Sequence, residues 1–397
     1  MVSLKRVSFL SMLVSSLAVT VILPILAPLV RELGLSETQG GWMISLGSIA
    51  MVASAPAWGS LSDRRGRTTG LLAGFAGLCA AYALFSAVIW SGLAGLLVGA
   101  GLFALLVTTR ALIGLVLPAV QVSSAAMIAD QTSAEDRGSG MALVGAASGL
   151  GLVIGPALGG VLALGGLVWP LLFTTALSFI AAVLVFLVVP ATPPPLSRRK
   201  APRINPLGPG LRPWLTAGVL TMCGIVTMQI CTGFYVQDRL GLTGAETGSF
   251  LAIGLTLVGA CLLLTQVVQI KRLKWPPRRM IVVGASLWIA GLLLFLLAAD
   301  ATVYLAGYAI LGIGSGLLYP GYMAGASLAV SAESQGAVAG LSSAVQGIGA
   351  IVAPIGSTAL YGLDKGLPLW CILGLMALLC VLFAAGKPAP GPSRRRG

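Results

Sequence analysis

Long apolar stretches divided by short polar turns are the feature that most restricts how this chain can fold. The 397 residues are 57% hydrophobic and only 9% charged, with a mean hydropathy of +0.99. A soluble protein of this length carries far more charge. The stretches reach the roughly 20 apolar residues that a membrane-spanning helix requires. Their apolar runs are continuous rather than alternating, which favours helices over the strands of a barrel.

The apolar stretches predict twelve membrane spans, with both termini in the cytoplasm. The first stretch is too long for the apolar part of a signal peptide and lacks a convincing cleavage site, so we expect it to be retained. With a cytoplasmic N-terminus, 20 of the 24 Lys and Arg residues lie on the inner side and three on the outer side, as membrane topology favours. The predicted spans are 7–31, 39–60, 69–94, 99–128, 138–163, 167–190, 213–236, 247–270, 280–298, 302–329, 336–361 and 367–386.

A Pro-rich basic segment at 191–212 divides the spans into six and six. It has no helical pattern and is predicted to be a cytoplasmic linker. On either side we expect an N-terminal six-helix bundle at 1–190 and a C-terminal six-helix bundle at 213–386, followed by a basic cytoplasmic tail at 387–397.

The two halves are related by an internal repeat. At a constant offset of 198 residues, Gly149 aligns with Gly347 and Pro156 with Pro354, so that spans four and five match spans ten and eleven without a gap. Parallel repeats of six spans recur in transporters, with the substrate site near the midplane between the halves. The sequence therefore predicts an all-α integral membrane protein whose twelve helices form two six-helix bundles related by a parallel repeat.

Four charges fall within five positions in the segment 59–71, which we predict to be a short cytoplasmic loop between spans two and three. Gly59 and Gly66 permit tight backbone geometry, while Asp63 and Arg67 can pair with each other or with a neighbouring helix. A loop that only anchors the topology would explain the basic residues but not the acidic one. The corresponding loop of the second half, at 271–279, is purely basic.

The pattern Gly59-x-Leu61-x-Asp63-Arg64-x-Gly66-Arg67 resembles the signature loop of the major facilitator superfamily, both in residues and in its position after the second of twelve spans. The resemblance implies a transporter with a charge relay between the Asp, the second Arg and an acidic residue that ends span four, here Asp130. In the family this relay latches the two halves in the outward-facing state, partly through the dipole at the start of span eleven, near Gly336.

Span five contains the run Gly151-Leu-Val-Ile-Gly155-Pro156-Ala-Leu-Gly159-Gly160. Small residues four apart allow close helix contact, and Pro bends a helix, so generic tight packing is one interpretation. The run also resembles the antiporter motif of the family's drug/proton exporters, although Ala142 stands where the family has an earlier glycine. This resemblance implies a proton-coupled exporter in a bacterial inner or cytoplasmic membrane.

Arg110 is the one charge that falls well inside a predicted span. It lies about 16 Å along the helix of span four, where an unpaired charge costs at least about 2.5–3.5 kcal/mol. We expect it to face a cavity and to bind carbonyls, water or substrate. The segment Arg110-x-x-x-Gly114 resembles the family's span-four motif, in which the Arg is linked to proton transfer or substrate charge; a structural Arg that holds backbone carbonyls is the alternative.

Polar and aromatic residues in the spans expected to line the cavity are candidates for substrate contact, although each alone also fits packing or helix–helix hydrogen bonding. They are Ser15, Ser16 and Thr20 in span one, Gln121 in span four, Gln229 and Tyr235 in span seven, Tyr308, Tyr319 and Tyr322 in span ten, and Gln346 in span eleven. The segment 234–242, which ends span seven on the outer side, looks similar to bacterial drug exporters and is read as an extracellular cap or a gate.

The chemistry of the chain points to ion-coupled transport rather than catalysis. The sequence has no histidine and no GxxxxGK[ST] phosphate loop, so we expect no metal site, no cofactor and no ATP hydrolysis by that route. It also has no paired acids or nucleophile with a base, and is not expected to be an enzyme. Its basic residues lie between spans, which argues against a nucleic-acid partner.

Two substrate hypotheses remain open. The first is a proton-coupled exporter of amphipathic small molecules that acts as a monomer in the lipid bilayer. The second is a narrower exporter of an anionic metabolite, such as a carboxylate siderophore, with Arg110 as the counter-charge. No Asp or Glu lies mid-span, so protons would bind at Asp63 and Asp130 or travel with the substrate, and uniport is a further possibility.

Overall fold

The computed structural model describes residues 4–130, 137–190, 205–331 and 334–385 of the chain, and every regular element in these ranges is helical. The predicted tail at 387–397 and residues 191–204 of the predicted linker lie outside them. Twelve helices in this part of the chain are long and apolar enough to cross a membrane. This confirms the all-α, twelve-span prediction.

The observed helices follow the predicted spans closely and keep their numbering. Span 8 ends in a π-helical turn, Gln269–Leu273, and span 1 combines an α-helix, Leu4–Thr20, with a short second helix, Leu26–Glu32. The spans are span 1 Leu4–Glu32, span 2 Glu37–Arg65, span 3 Arg67–Leu93, span 4 Gly99–Asp130, span 5 Arg137–Ala163, span 6 Trp169–Val188, span 7 Arg212–Leu240, span 8 Gly244–Leu273, span 9 Pro277–Leu297, span 10 Ala301–Leu328, span 11 Gln335–Leu363 and span 12 Leu367–Ala385.

The apolar pattern predicted that span 1 is one continuous α-helix, and this prediction is wrong. A 3₁₀ turn at Leu23–Ile25 separates its two helices. Pro24 and Pro28 lie in and just after this turn, and neither can donate the backbone hydrogen bond that an uninterrupted helix needs. The two prolines therefore explain a break that the continuous hydropathy of this segment does not show.

The predicted loop at 59–71 is also corrected by the structure, since all of it except Gly66 is helical. Asp63 and Arg65 belong to the last turn of span 2, and Arg67 begins span 3. The polar residues thus extend both helices beyond their apolar parts and leave a one-residue turn. Gly66 makes this turn with φ 92° and ψ 154°, a conformation that is open essentially only to glycine.

One compact unit comprises Met1–Arg198 together with Ile230–Thr256. Within it span 2 packs against span 4, span 3 packs against spans 4 and 6, and span 1 packs against spans 4 and 5. The segment 230–256 brings the end of span 7 and the first half of span 8 into this unit. The bundle boundaries at 190 and 213 stay a prediction.

The second compact unit comprises Arg199–Gln229 and Leu257–Gly397, and within it span 9 packs against spans 10 and 12. These two contacts correspond to those of span 3 with spans 4 and 6 in the first unit. A Cβ placed on Gly74 would lie 2.7 Å from Val120 Cγ2, and one placed on Gly284 would lie 2.8 Å from Leu318 Cγ. Val120 and Leu318 are separated by the repeat offset of 198 residues, whereas Gly74 and Gly284 are separated by 210, so the two contacts correspond in spans 4 and 10 but not at the same offset in spans 3 and 9.

Candidate functional site

The ends of spans 2, 3 and 4 meet around the buried side chain of Arg67. Its Nε donates a hydrogen bond to Asp130 Oδ2 at 2.8 Å, and its Nη1 donates to Asp63 Oδ1 and, at 3.3 Å, to Ser62 Oγ. Ser123 in span 4 donates to Ser62 at 3.1 Å. The structure thus brings together the three charged residues that the sequence singled out, and adds two serines that it did not.

The Arg67 cluster places two carboxylates on one guanidinium. The side chains are 9% exposed for Arg67, 21% for Asp63 and 43% for Asp130, so the cation is dry and the carboxylates reach solvent to different degrees. Attraction across such a poorly hydrated contact is several times stronger than in water. Removing both carboxylates would leave a buried unpaired cation, a change that typically costs about 3–5 kcal/mol.

The glycines of the segment 59–71 have different structural roles. Gly66 forms the turn, but a Cβ on Gly59 would meet only Val122 at 3.7 Å, an ordinary contact. Gly59 therefore shows no tight geometry of its own. Gly70 does, because a Cβ there would collide with Ser123 Oγ. We expected the start of span 11, near Gly336, to lie beside the relay. The surroundings of Gly336 are not among the described parts of the structure.

Span 5 packs its small residues directly onto span 1. A Cβ on Gly155 would lie 2.8 Å from Thr20 Cβ, and one on Gly159 would lie 3.0 Å from the carbonyl carbon of Val21 and closer still to its oxygen. Thr20 Oγ1 donates to the carbonyl oxygen of Gly151 at 2.8 Å. Gly151, Gly155 and Gly159 are four residues apart and therefore lie on one face of span 5. Because this face has no side chains, the backbone of span 1 packs closely against it.

The remaining residues of the motif fit the same close packing. A Cβ on Gly151 would collide with Ser16 Cβ, and one on Gly160 would collide with Ala252 in span 8. Pro156 is buried inside the helix, and the side chain of Ala142 lies outside the described residues. Thr20 serves helix packing here rather than an open cavity.

The second unit repeats this contact. A Cβ on Gly349 in span 11 would lie 2.5 Å from Met222 Cβ in span 7. Gly349 stands 198 residues after Gly151, so the fifth helix of each half meets the first helix of that half through the corresponding glycine. The contact at Gly151 is thus common to both halves, and the glycine face of span 5 extends it with Gly155 and Gly159.

Arg110 is half-buried between spans 2, 3 and 4. A Cβ on Gly47 would lie 3.0 Å from Arg110 Cγ, so span 2 approaches the arginine closely. The guanidinium lies near the Tyr82 hydroxyl, which itself donates to the Ala18 carbonyl at 2.5 Å. No carboxylate of the described chain pairs with Arg110. Tyr82 escaped the sequence analysis, although a hydroxyl in so apolar a stretch was the available signal.

The cavity candidates divide into packed and partly open residues. Tyr308 is only 1% exposed and lies edge-on to Phe295, with ring centroids 4.9 Å apart. Tyr235 is buried beneath the guanidinium of Arg239, at 5.6 Å. Both therefore pack as core residues in their units. Those that remain half-buried are Ser16, Gln121, Gln229, Tyr319 and Gln346, whereas Ser15 and Tyr322 are fully buried.

A polar aromatic cluster stands out among these candidates. Gln346 in span 11 lies near the hydroxyls of Tyr319 and Tyr322 in span 10. The two rings contact each other edge-on with centroids 5.6 Å apart. Tyr322 is fully buried, so Tyr319 and Gln346 are the members that are partly exposed. An amphipathic ring beside an amide suits a ligand that has both polar and apolar surface.

The carboxylates of the described residues are confined to the ends of the helices. Each Asp or Glu in these ranges lies within three residues of a span terminus or caps one, as Asp300 does at span 10. Span interiors in this part of the chain therefore offer no acidic group for a proton.

The comparisons with known proteins agree with this architecture. The sequence matches the model of the Major Facilitator Superfamily over residues 8–354 and 270–397. A class G tetracycline resistance protein from Vibrio anguillarum is 28% identical, over 91% of this chain and 91% of its own length. Multidrug resistance protein 1 from Bacillus subtilis (strain 168) is 24% identical, over 95% and 94%.

The solved structure of a D-xylose-proton symporter has the same fold, with a TM-score of 0.77 at 15% identity over 97% of each chain. Members of the family carry small molecules across membranes, and the twelve spans make this chain a multi-pass membrane protein. Since the family match extends over most of its length, the chain belongs to the Major Facilitator Superfamily.

Proposed function

We propose that the protein is a proton-coupled exporter of amphipathic small molecules that works by alternating access. It acts as a monomer in a bacterial cytoplasmic membrane, with both termini in the cytoplasm. The observation that carries the proposal is the Arg67 cluster, in which one buried cation joins the ends of spans 2, 3 and 4 through Asp63 and Asp130. Such a group of charges can change partners when the helix ends move.

Two further observations support export of drug-like molecules. The glycine face of span 5 on span 1 has the residues of the exporters' antiporter motif, and relatives of nearly equal length are named for tetracycline and multidrug resistance. Tyr319 and Gln346, backed by the buried ring of Tyr322, offer aromatic and polar contacts of the kind that broad-specificity sites use.

Proton coupling is assigned to the Arg67 cluster because the carboxylates of the described residues lie only at span ends. Asp63 and Asp130 carry two negative charges and Arg67 carries one positive charge. Protonation of one carboxylate therefore leaves an ion pair with no net charge. The proton would therefore enter or leave this cluster without stranding a buried charge. A substrate that carries its own protons, and uniport, are the alternatives that measurement separates.

A second candidate, export of an anionic metabolite such as a carboxylate siderophore, is favoured by Arg110. This half-buried cation lies near the Tyr82 hydroxyl and pairs with no carboxylate of the described chain. A bound anion would supply the missing counter-charge, since an unpaired charge at this depth is costly.

The substrate class is tested first by thermal unfolding of the purified protein with drugs, siderophores and organic acids at two pH values. A ligand present at 100 times its Kd stabilises the folded protein by about 2.7 kcal/mol. Transport of each stabilising ligand is then measured in proteoliposomes with and without a pH gradient. Transport that ignores the gradient would reject proton coupling.

Asp63→Asn tests the role of the Arg67 cluster in the same assay. We expect transport to be lost while expression and insertion persist. Asp300→Asn is the matched control, because Asp300 only caps span 10 through the amides of Thr302 and Val303, and Asn caps equally well. Full transport by Asp63→Asn would reject the relay.

Arg110→Ala separates the two substrate classes. If Arg110 binds an anion, the variant loses anionic substrates far more than cationic ones, and Arg110→Lys retains part of that transport. Equal loss of both classes would assign Arg110 to structure or coupling instead.

A further inference from the structure

A second arginine, Arg31, holds three spans together at the other end of span 2. Its Nη1 donates to Asp238 Oδ1 at 2.7 Å and to Gln237 Oε1 at 3.0 Å, and its Nη2 donates to Glu37 Oε1 at 2.9 Å. The Phe234 ring lies 5.3 Å from the guanidinium carbon. One side chain at the end of span 1 thus binds the start of span 2 and the end of span 7.

The geometry makes this contact stronger than an ordinary surface ion pair. The exposed fractions are 25% for Arg31, 28% for Glu37 and 16% for Asp238, so all three charged groups are largely withdrawn from water. Hydrogen bonds between ionised groups are roughly twice as strong as neutral ones, and desolvation strengthens them further. The cation also lies over an aromatic face, which adds attraction.

Each partner of Arg31 is positioned by its own helix end. Glu37 is the first residue of span 2, whose start is fixed by a capping box in which Ser36 and Gln39 bond reciprocally. Arg31 lies on the short second helix of span 1, behind the 3₁₀ turn that contains Pro24. The arginine therefore lies on a short helix that the 3₁₀ turn separates from the rest of span 1.

The Arg31 and Arg67 clusters share a composition and differ in connectivity. Each contains one guanidinium between two carboxylates, and Glu37 and Asp63 are separated along span 2 by about 39 Å. The Arg67 cluster joins spans 2, 3 and 4, which all belong to the first half of the sequence. The Arg31 cluster joins spans 1 and 2 to span 7, which belongs to the second half.

We propose that Arg31 is a positioning residue of the transport cycle. It holds the end of span 7 against spans 1 and 2 while the predicted outer side is closed, and it releases Asp238 when that side opens. The inference rests on the proposed alternating access, because only then must the two halves of the sequence separate at this end. A permanent structural anchor, which never opens, is the competing explanation.

The native residue Cys231 provides a reporter of opening. It is 1% exposed and lies two helical turns before Asp238 in span 7, so a reagent reaches it from outside only when this end separates. The experiment uses a chain that retains Cys231 and has its five other cysteines replaced by Ser or Ala. The rate of labelling by a membrane-impermeant maleimide is measured in intact cells, beside transport of a substrate identified by thermal unfolding.

We expect Arg31→Gln and Asp238→Asn to raise the labelling rate of Cys231 by about tenfold, as loss of one charge-assisted hydrogen bond implies. The reversed pair Arg31→Asp with Asp238→Arg, made together with Glu37→Gln so that the new carboxylate does not face Glu37, should return the rate to within about twofold of the starting protein, which a merely misfolded protein would not do. Arg239→Gln is the matched control, since it removes the neighbouring cation, which lies over Tyr235, and should leave the rate unchanged.

Two results would overturn the proposal. Unchanged labelling in Arg31→Gln and Asp238→Asn, with transport intact, would show that Arg31 does not control opening, while the proposed function would stand. Raised labelling that the reversed pair fails to correct would assign Arg31 to folding alone. Absence of transport by the starting protein would instead defeat the proposed function, whatever the labelling rates.

Discussion

Replacing Gly155 by Ala adds one methyl group where span 5 packs onto span 1. The new Cβ would lie 2.8 Å from Thr20 Cβ, whereas non-bonded carbon atoms prefer about 3.5–4.0 Å. The two helices must therefore move apart by about 1 Å, or Thr20 must leave its rotamer. The second escape breaks the bond from Thr20 Oγ1 to the Gly151 carbonyl.

The expected loss of stability follows from these two costs. Overpacking of one methyl group typically costs about 1–3 kcal/mol, and the lost hydrogen bond adds about 1 kcal/mol. Gly145→Ala is the control, because it lies on the same helix and a Cβ there meets nothing within 4 Å. In that open position Ala should instead stabilise the helix, by up to about 1 kcal/mol.

The assay is thermal unfolding of both variants in the same detergent, read by the loss of the monodisperse peak on size-exclusion chromatography. We expect Tm to fall for Gly155→Ala and to hold or rise for Gly145→Ala. Adding Thr20→Ala to Gly155→Ala removes the colliding atoms beyond Cβ and should recover part of the loss, a coupling that only contacting residues show. Equal Tm values for the two single variants would refute the packing explanation.

Two further predictions concern the turn between spans 2 and 3 and the core of the second unit. Gly66→Ala forces a side chain into a backbone conformation that is open essentially only to glycine; it should cost about 1–3 kcal/mol and impair transport, whereas Gly356→Ala, with nothing within 4 Å of the new Cβ, should do neither. Trp288→Phe removes the indole N–H that donates to Ser315 Oγ at 3.1 Å and should lower the free energy of unfolding by about 1 kcal/mol; with Ser315→Ala as the second change of a double-mutant cycle, strictly additive Tm shifts would show that this hydrogen bond contributes nothing.

The twelve spans could be predicted because lipid imposes a length and a hydropathy on each helix, and both are visible residue by residue. Asp63, Arg67 and Asp130 could be grouped because their family pattern is specific. Their actual contact depends on how spans 2, 3 and 4 cross, and Ser62 and Ser123 joined the cluster without any sequence signal.

Other features could not be predicted because hydropathy does not record backbone geometry or distant partners. The break in span 1 follows from Pro24 and Pro28, which an apolar run conceals. The pairing of Arg31 with Asp238 links positions 207 residues apart, and no local pattern reports such a contact. Tyr308 was taken for a cavity residue, but its partner Phe295 makes it part of the core.

Arg110 has an electrical consequence. Among the described residues it is the one ionised side chain deep within a span, since the carboxylates all lie at span ends. If Arg110 lines the translocation path of the proposed alternating-access cycle, it faces first one solution and then the other, and one charge that crosses 100 mV changes in energy by about 2.3 kcal/mol. An inside-negative membrane potential would draw the empty carrier towards its inward-open state, where cytoplasmic cargo binds. An anionic cargo would neutralise Arg110 and remove that pull, so the cell's voltage would favour the return of the empty carrier.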